Sequence, residues 1–190
     1  MPDARERVLE SAYELFCRRG VRAVGVDAVV SNAGVARMSL YRNFGSKDEL
    51  ALEFLRLREE RWGRAWIQAQ VQARAETPAE RLLAIFDIFD EWFGDGEFVG
   101  CPLINVLLET PDATSPLHRA SADALARVRA FVVGLAEEAG IEDPEAFAAQ
   151  WHILMKGSIV AAAEGDRGAA RQARAVAEVL LRARLPADGD

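Results

Sequence analysis

The placement of proline constrains this chain more than any other feature. Of its seven prolines, Pro78, Pro102, Pro116 and Pro144 each stand at the head of a run with helical periodicity, Pro186 follows the last run, and none interrupts one. Proline lacks the backbone N–H and fixes φ at about −65°, so it is tolerated in the first turn of a helix and breaks the middle of one. Other punctuation agrees. Ser46-Lys47-Asp48-Glu49 and Thr77-Pro78-Ala79-Glu80 are capping boxes, in which a hydroxyl and a carboxylate three residues later satisfy orphan backbone donors. Ser115 and Asp143 precede prolines as N-cap candidates, and Gly20, Gly140 and Gly165 fall where helices should stop. The pattern predicts helices over 4–19, 27–33, 37–43, 47–74, 78–93, 102–109, 116–139, 144–164 and 167–184. The expected fold is therefore all-α, with almost no strand signal and no internal repeat.

Composition narrows the function classes. Hydrophobic residues at 51% and charged residues at 28% are those of a globular protein. The longest uncharged stretch, Phe98 to Leu108, is 11 residues and contains Gly and Pro, well short of the roughly 20 apolar residues of a membrane span. The charged N-terminus lacks the order of a signal peptide, so a cytoplasmic protein without membrane association is expected. Cys17 and Cys101 match no metal or redox spacing, a disulfide between them is not expected, and nothing asks for a metal or cofactor. The net charge of −7 is unevenly spread. Residues 1–47 hold eight Lys or Arg and five Asp or Glu, a net of +3, which leaves −10 on residues 48–190. A small basic module on a larger acidic body is implied.

The basic module carries a readable motif. In residues 26–44 Val29 and Ala33 mark the inner face of one short helix, Gly34 permits a turn, and Val35, Leu40 and Phe44 mark the inner face of the next. Two helices locked at a steep angle let the second project its first turns into a major groove about 12 Å wide. Its outer face would present Arg37, Met38, Ser39, Arg42 and Asn43. Arg37 and Arg42 are the candidates for base readout, since a guanidinium can bond guanine bidentately, and Met38 could meet a thymine methyl. For Arg5, Arg7, Arg18 and Arg19 a solvated or packing role is expected.

The run from Gly34 to Leu50, with Leu40-Tyr41-Arg42 and Phe44 followed by Ser46-Lys47 at fixed spacing, resembles the recognition helix and following helix start of the TetR family. Phe16, Gly20-Val21 and Val26-Asp27 with Val29 fit the same pattern, and the motif resemblance covers about residues 8–55. It implies that Ser39 and Tyr41 use their hydroxyls on phosphates or a base edge and that Lys47 reaches a phosphate. Asn43 stands where that family often has His. Gly25, Val30 and Ala36 depart from the usual Ser or Thr, Ala and Ser. Loss of two capping hydroxyls should weaken each helix start by roughly 1 kcal/mol, less at Gly25 than at Ala36. The resemblance also implies a helix-turn-helix domain at 1–46, a helical ligand-binding and dimerisation domain at 47–190, palindromic operator DNA as partner, and repression relieved by an inducer.

For the body, a single helix-turn-helix binds DNA weakly, so a homodimer is expected through the helices near 144–164 and 167–184. In the latter Ala169, Ala173, Val176, Ala177, Leu180 and Leu181 form a narrow stripe; in the former Phe147, Trp151, Leu154, Met155, Ile159 and Ala162 form a surface broad enough for both a partner and the chain's own core. Aromatic and soft residues gather mid-chain, and a largely apolar small-molecule inducer is expected to meet Trp66, Phe89, Trp92, Cys101, Asn105, Trp151, His152 and Met155. Aromatic residues at helical spacing are also ordinary core.

Three other readings stay open. Cys101 reads first as a buried, unreactive thiol; if it sits at the start of the helix opened by Pro102, the helix dipole would give it thiolate character and it could act as a thiol sensor of oxidants or electrophiles. A helical enzyme using Cys101 with His118 or His152 lacks any nucleophile signature. A protein-interaction module would show no salt dependence on duplex DNA.

Overall fold

The computed structural model describes residues 2–186. Ten α-helices and no strand occur among the described residues: α1 (Ala4–Arg19), α2 (Val26–Ala33), α3 (Arg37–Phe44), α4 (Lys47–Trp62), α5 (Arg64–Arg74), α6 (Pro78–Gly94), α7 (Pro102–Glu109), α8 (Pro116–Glu138), α9 (Pro144–Ala163) and α10 (Ala169–Arg182). No described helix is long and apolar enough to cross a membrane. The expected helix starts are present. Thr77 closes a reciprocal capping box with Glu80, Asp143 accepts from the Ala146 N–H at 3.1 Å, and Ser46 accepts from that of Glu49 at 3.1 Å. Asp3 and Glu6 form another reciprocal box, at the head of α1.

One expected helix is two. The run over 47–74 breaks at Gly63, whose extended backbone, φ −89° and ψ −159°, caps α5. A helix-period pattern runs through the break because Ile67 and Val71 continue the apolar spacing; glycine, with the largest backbone entropy to lose, is where the helical ladder is most cheaply interrupted.

The chain forms two compact units. The first comprises the described residues up to Trp62 together with Cys101–Leu125. There α1 packs against α2, α3 and α4, and α4 against α7. Val8, Ala12 and Phe16 of α1 meet Val29, Leu40, Phe44, Leu50 and Phe54 in one core. Phe16 and Tyr13 place their rings edge-on to Phe54 at 5.4 and 5.6 Å. Full burial of such a ring contributes about 2 kcal/mol.

The second unit comprises Gly63–Gly100 and the described residues from Ala126. Here α10 packs on both α6 and α9, and α5 on α6. Ala169, Ala173, Ala177 and Leu181, read from the sequence as part of a dimer stripe, are buried within the unit, where small side chains let α10 approach its neighbours closely. Phe147, Trp151, Met155, Ile159 and Ala162 are likewise buried. The exposed large apolar side chains of these two helices are instead Ile153, Val160, Val176 and Val179, of which only Val176 was in either expected stripe.

Candidate functional site

Gly34 turns the chain from α2 into α3. It adopts a left-handed conformation, φ 63° and ψ 40°, and its N–H reaches the carbonyls of Ser31 and Val30, while the N–H of Val35 bonds Val30 O at 3.1 Å. These bonds occupy carbonyls that a helix end leaves open. Leu40 and Phe44 anchor α3 in the core, so the opposite face is left to solvent. Gly25 and Ala36 cap α2 and α3 with no side-chain hydrogen bond, as their residue types require. A polar link not foreseen from the sequence fixes α2 to α1: Ser11, buried, donates to Val29 O at 2.9 Å and accepts from Asn32 Nδ2 at 3.1 Å.

Every candidate DNA residue lies at least partly open to solvent. Arg37, Met38, Arg42 and Asn43 are exposed, and Ser39, Tyr41 and Lys47 are half-buried. Met38 is 63% exposed. Arg37 pairs with Asp27 at 3.2 Å and donates to Tyr41 Oη at 3.5 Å, with its guanidinium 5.8 Å from the centre of that ring. The bond to Tyr41, and secondly the charge of Asp27, raise the already high pKa of Arg37, which stays charged. Asn43 donates to Ser39 O at 2.7 Å. Lys47, at the start of α4, points its ammonium at Arg22 O, 3.5 Å away. Asp27, in the first turn of α2, was read from the sequence only as part of the motif, and its pairing with Arg37 was not foreseen. Arg5 has a packing role, pairing with Glu53 at 2.7 Å and lying over the Phe44 ring.

The ligand candidates divide between the two units. Cys101 and Asn105 lie on or beside α7 in the first. In the second, Trp66 is half-buried on α5, while Phe89 and Trp92 belong to a chain of rings: Phe98 to Trp92 at 5.0 Å, Trp92 to Phe89 at 5.7 Å, Phe89 to Phe86 at 6.3 Å and Phe86 to Trp151 at 5.4 Å. Trp151 also lies 5.0 Å from Phe147. The Trp151 indole is fully buried, yet its Nε1 donor has no hydrogen-bond partner among the described residues. Met155 and His152 are buried on the same helix. Burial, then the positive charges of Lys156 and Arg129, lower the pKa of His152 to about 4, so it is neutral at pH 7. Three cavities of about 230, 360 and 410 Å³ open elsewhere, and none of the eight ligand candidates lines these three.

Cys101 is half-buried at the head of α7, where opposing effects act on its thiol. It does cap α7, and the N–H groups of Ile104 and Leu103 favour the thiolate, but burial outweighs them and pushes the thiol up. Burial likewise raises Cys17 to about 11. His118 is engaged by Thr110 O at 2.7 Å.

Comparison with known proteins agrees with this geometry. The family model "Bacterial regulatory proteins, tetR family" matches residues 8–54, and "Tetracyclin repressor-like, C-terminal domain" matches residues 78–177. A TetR-family transcriptional regulator from Streptomyces coelicolor superposes with a TM-score of 0.86 at 28% identity, covering 95% of each chain. A TetR-type regulator structure from Streptomyces avermitilis gives 0.85 at 31% identity, covering 96% of this chain and 98% of its own. The transcriptional repressor KstR2 of Mycobacterium tuberculosis is 42% identical over 52 residues, 27% of this chain and 26% of its own length. Against the curated relatives it matches first, the chain spans 39% of their length. These relatives are named as transcriptional regulators. A motif, a helical body and whole-chain superposition thus converge, and the chain belongs to the TetR family of bacterial regulatory proteins.

Proposed function

We propose that the chain is a ligand-responsive transcriptional regulator that binds palindromic operator DNA as a homodimer in the cytoplasm and leaves it when an inducer binds. The observation that carries the reading is α3, which buries Leu40 and Phe44 and turns Arg37, Met38, Arg42 and Asn43 outward beyond a left-handed Gly34. Residues 1–46 supply the DNA-binding part and 47–190 the ligand-binding and dimerisation part. Arg37 and Arg42 read bases; Ser39, Tyr41 and Lys47 hold phosphates; Met38 and Asn43 meet base edges. Repression is favoured by the likeness to KstR2, itself named a repressor.

The inducer is a largely apolar molecule meeting residues of the second unit: Trp66, Phe89, Trp92, Trp151, His152 and Met155. The orphaned Trp151 N–H supports this, because an unpaired buried donor costs about 1–3 kcal/mol and a ligand acceptor would relieve it. The partner face is built from the exposed row of α9 and α10. A thiol-based switch at Cys101 is the weaker reading, since burial pushes the thiol up against the help it gains at the head of α7.

Selection of bound duplexes from a random pool tests the reading. A palindromic consensus is expected, with log affinity falling against log salt by about 0.9 per phosphate neutralised. Recovery of no consensus, with a slope near zero, would overturn it.

A further inference from the structure

A carboxylate distant in sequence reaches into the helix-turn-helix. Glu109, the last residue of α7, accepts the backbone N–H of Arg22 at 3.0 Å in the turn between α1 and α2. A glycine in the turn makes room for it. Gly20 sits at φ 81°, and a Cβ there would overlap the Glu109 carboxylate. The other end of Arg22, its carbonyl, accepts from the Lys47 ammonium at 3.5 Å. The result is a relay from Glu109 through the Arg22 backbone to Lys47, all within the first compact unit. Placement at the C-terminal end of α7 is electrostatically poor for that helix, since its terminus is already partly negative. The carboxylate is better explained by what it holds.

We propose that Glu109 is a positioning residue for DNA binding: by fixing Arg22 it sets where Lys47 presents its charge to a phosphate. The proposal rests on the DNA-binding reading above. It makes an unusual directional claim, because removing a negative charge from a DNA-binding surface ordinarily strengthens binding, whereas loss of this carboxylate should weaken it.

The test uses the full chain and a duplex selected from a random pool by the wild-type protein. Glu109→Ala is expected to bind about fivefold more weakly, as for one net hydrogen bond lost. Its salt slope should be shallower by about 0.9, the share of one phosphate. Lys47→Ala should give the same two changes, and the double variant should be no worse than either single one. Glu109→Gln keeps an acceptor oxygen and should retain wild-type affinity. Amide exchange at Arg22 should speed up in Glu109→Ala. If that variant folds poorly, Glu109→Asp, one methylene short of the Arg22 amide, takes its place. Unchanged or tighter binding by Glu109→Ala, or losses that multiply in the double variant, would overturn the proposal while leaving the DNA-binding reading intact. A wild-type protein that retains no duplex at low salt would overturn both.

Discussion

Arg37 meets its intramolecular partners at the position from which it would read a base. Asp27 and Tyr41 hold the guanidinium on the open face of α3, and both pairings are exposed. An ion pair this exposed is weakened by solvent and salt, so DNA can displace it. Arg37→Ala should lower discrimination between the selected operator and its point variants by roughly tenfold, the scale of one bidentate base contact. Asp27→Ala should do the reverse to general affinity, tightening binding to any duplex by removing a competing carboxylate. Fluorescence anisotropy against operator and scrambled duplexes separates the two outcomes, and equal discrimination by Arg37→Ala would assign the reading elsewhere.

His152 makes a different prediction, concerning stability. Its folded pKa of about 4 lies below the ordinary value of 6.5. Between those values the unfolded chain takes up a proton that the folded one refuses, so stability is whole above pH 6.5 and falls as pH drops toward 4. The contribution lost between pH 7 and pH 5 should be about 2 kcal/mol. Urea unfolding of His152→Gln at the two pH values should show a difference smaller by that amount than the wild type shows.

At the level of helices, most starts were legible because caps are local chemistry: Thr77 with Glu80, Asp143 before Pro144, and Gly34 between α2 and α3 stand in the sequence as they stand in the fold. The break at Gly63 was not, because apolar spacing continues across it and one glycine inside a periodic run is ambiguous. The faces of α9 and α10 were legible only as apolar. Periodicity shows that Ala173 and Ala177 share a side; it does not say whether that side meets the same chain or another. Arg37, Met38, Ser39, Arg42 and Asn43 followed from the inward positions of Leu40 and Phe44, and Tyr41 and Lys47 from the family resemblance, whereas the pairings of Asp27 and Glu109 did not, since they depend on tertiary proximity. For Cys101 the sequence showed the helix start and admitted either an inert or a reactive thiol; the desolvation that opposes the helix start depends on tertiary packing. The bare cap at Ala36 yields a prediction at this scale. Ala36→Ser should stabilise the protein by about 1 kcal/mol in thermal or urea unfolding and should tighten DNA binding, because the same hydroxyl can cap α3 or meet a phosphate.

For the molecule as a whole, the exposed apolar row on α9 and α10 is the feature an isolated protomer leaves unexplained. Ile153 and Val179 are each 67% exposed, and the two helices pack side by side. Ile153→Glu with Val179→Glu should leave each protomer folded, because neither side chain serves its core, and should halve the mass seen by sedimentation. Operator affinity should then fall by at least about 100-fold, the scale of avidity lost when two linked sites become one. A dimer of unchanged mass would move the partner face elsewhere.

The pairing of Arg37 with Asp27 also bears on how such a protein would search a chromosome. A cation already answered by its own chain adds little pull toward arbitrary sequence, so encounters with the wrong stretch end sooner. Where a guanine edge offers two acceptors at once, the exchange of companions turns favourable and the protein lingers. One surface aspartate would thus trade grip for tempo, keeping the regulator mobile until the right address makes letting go of it worthwhile.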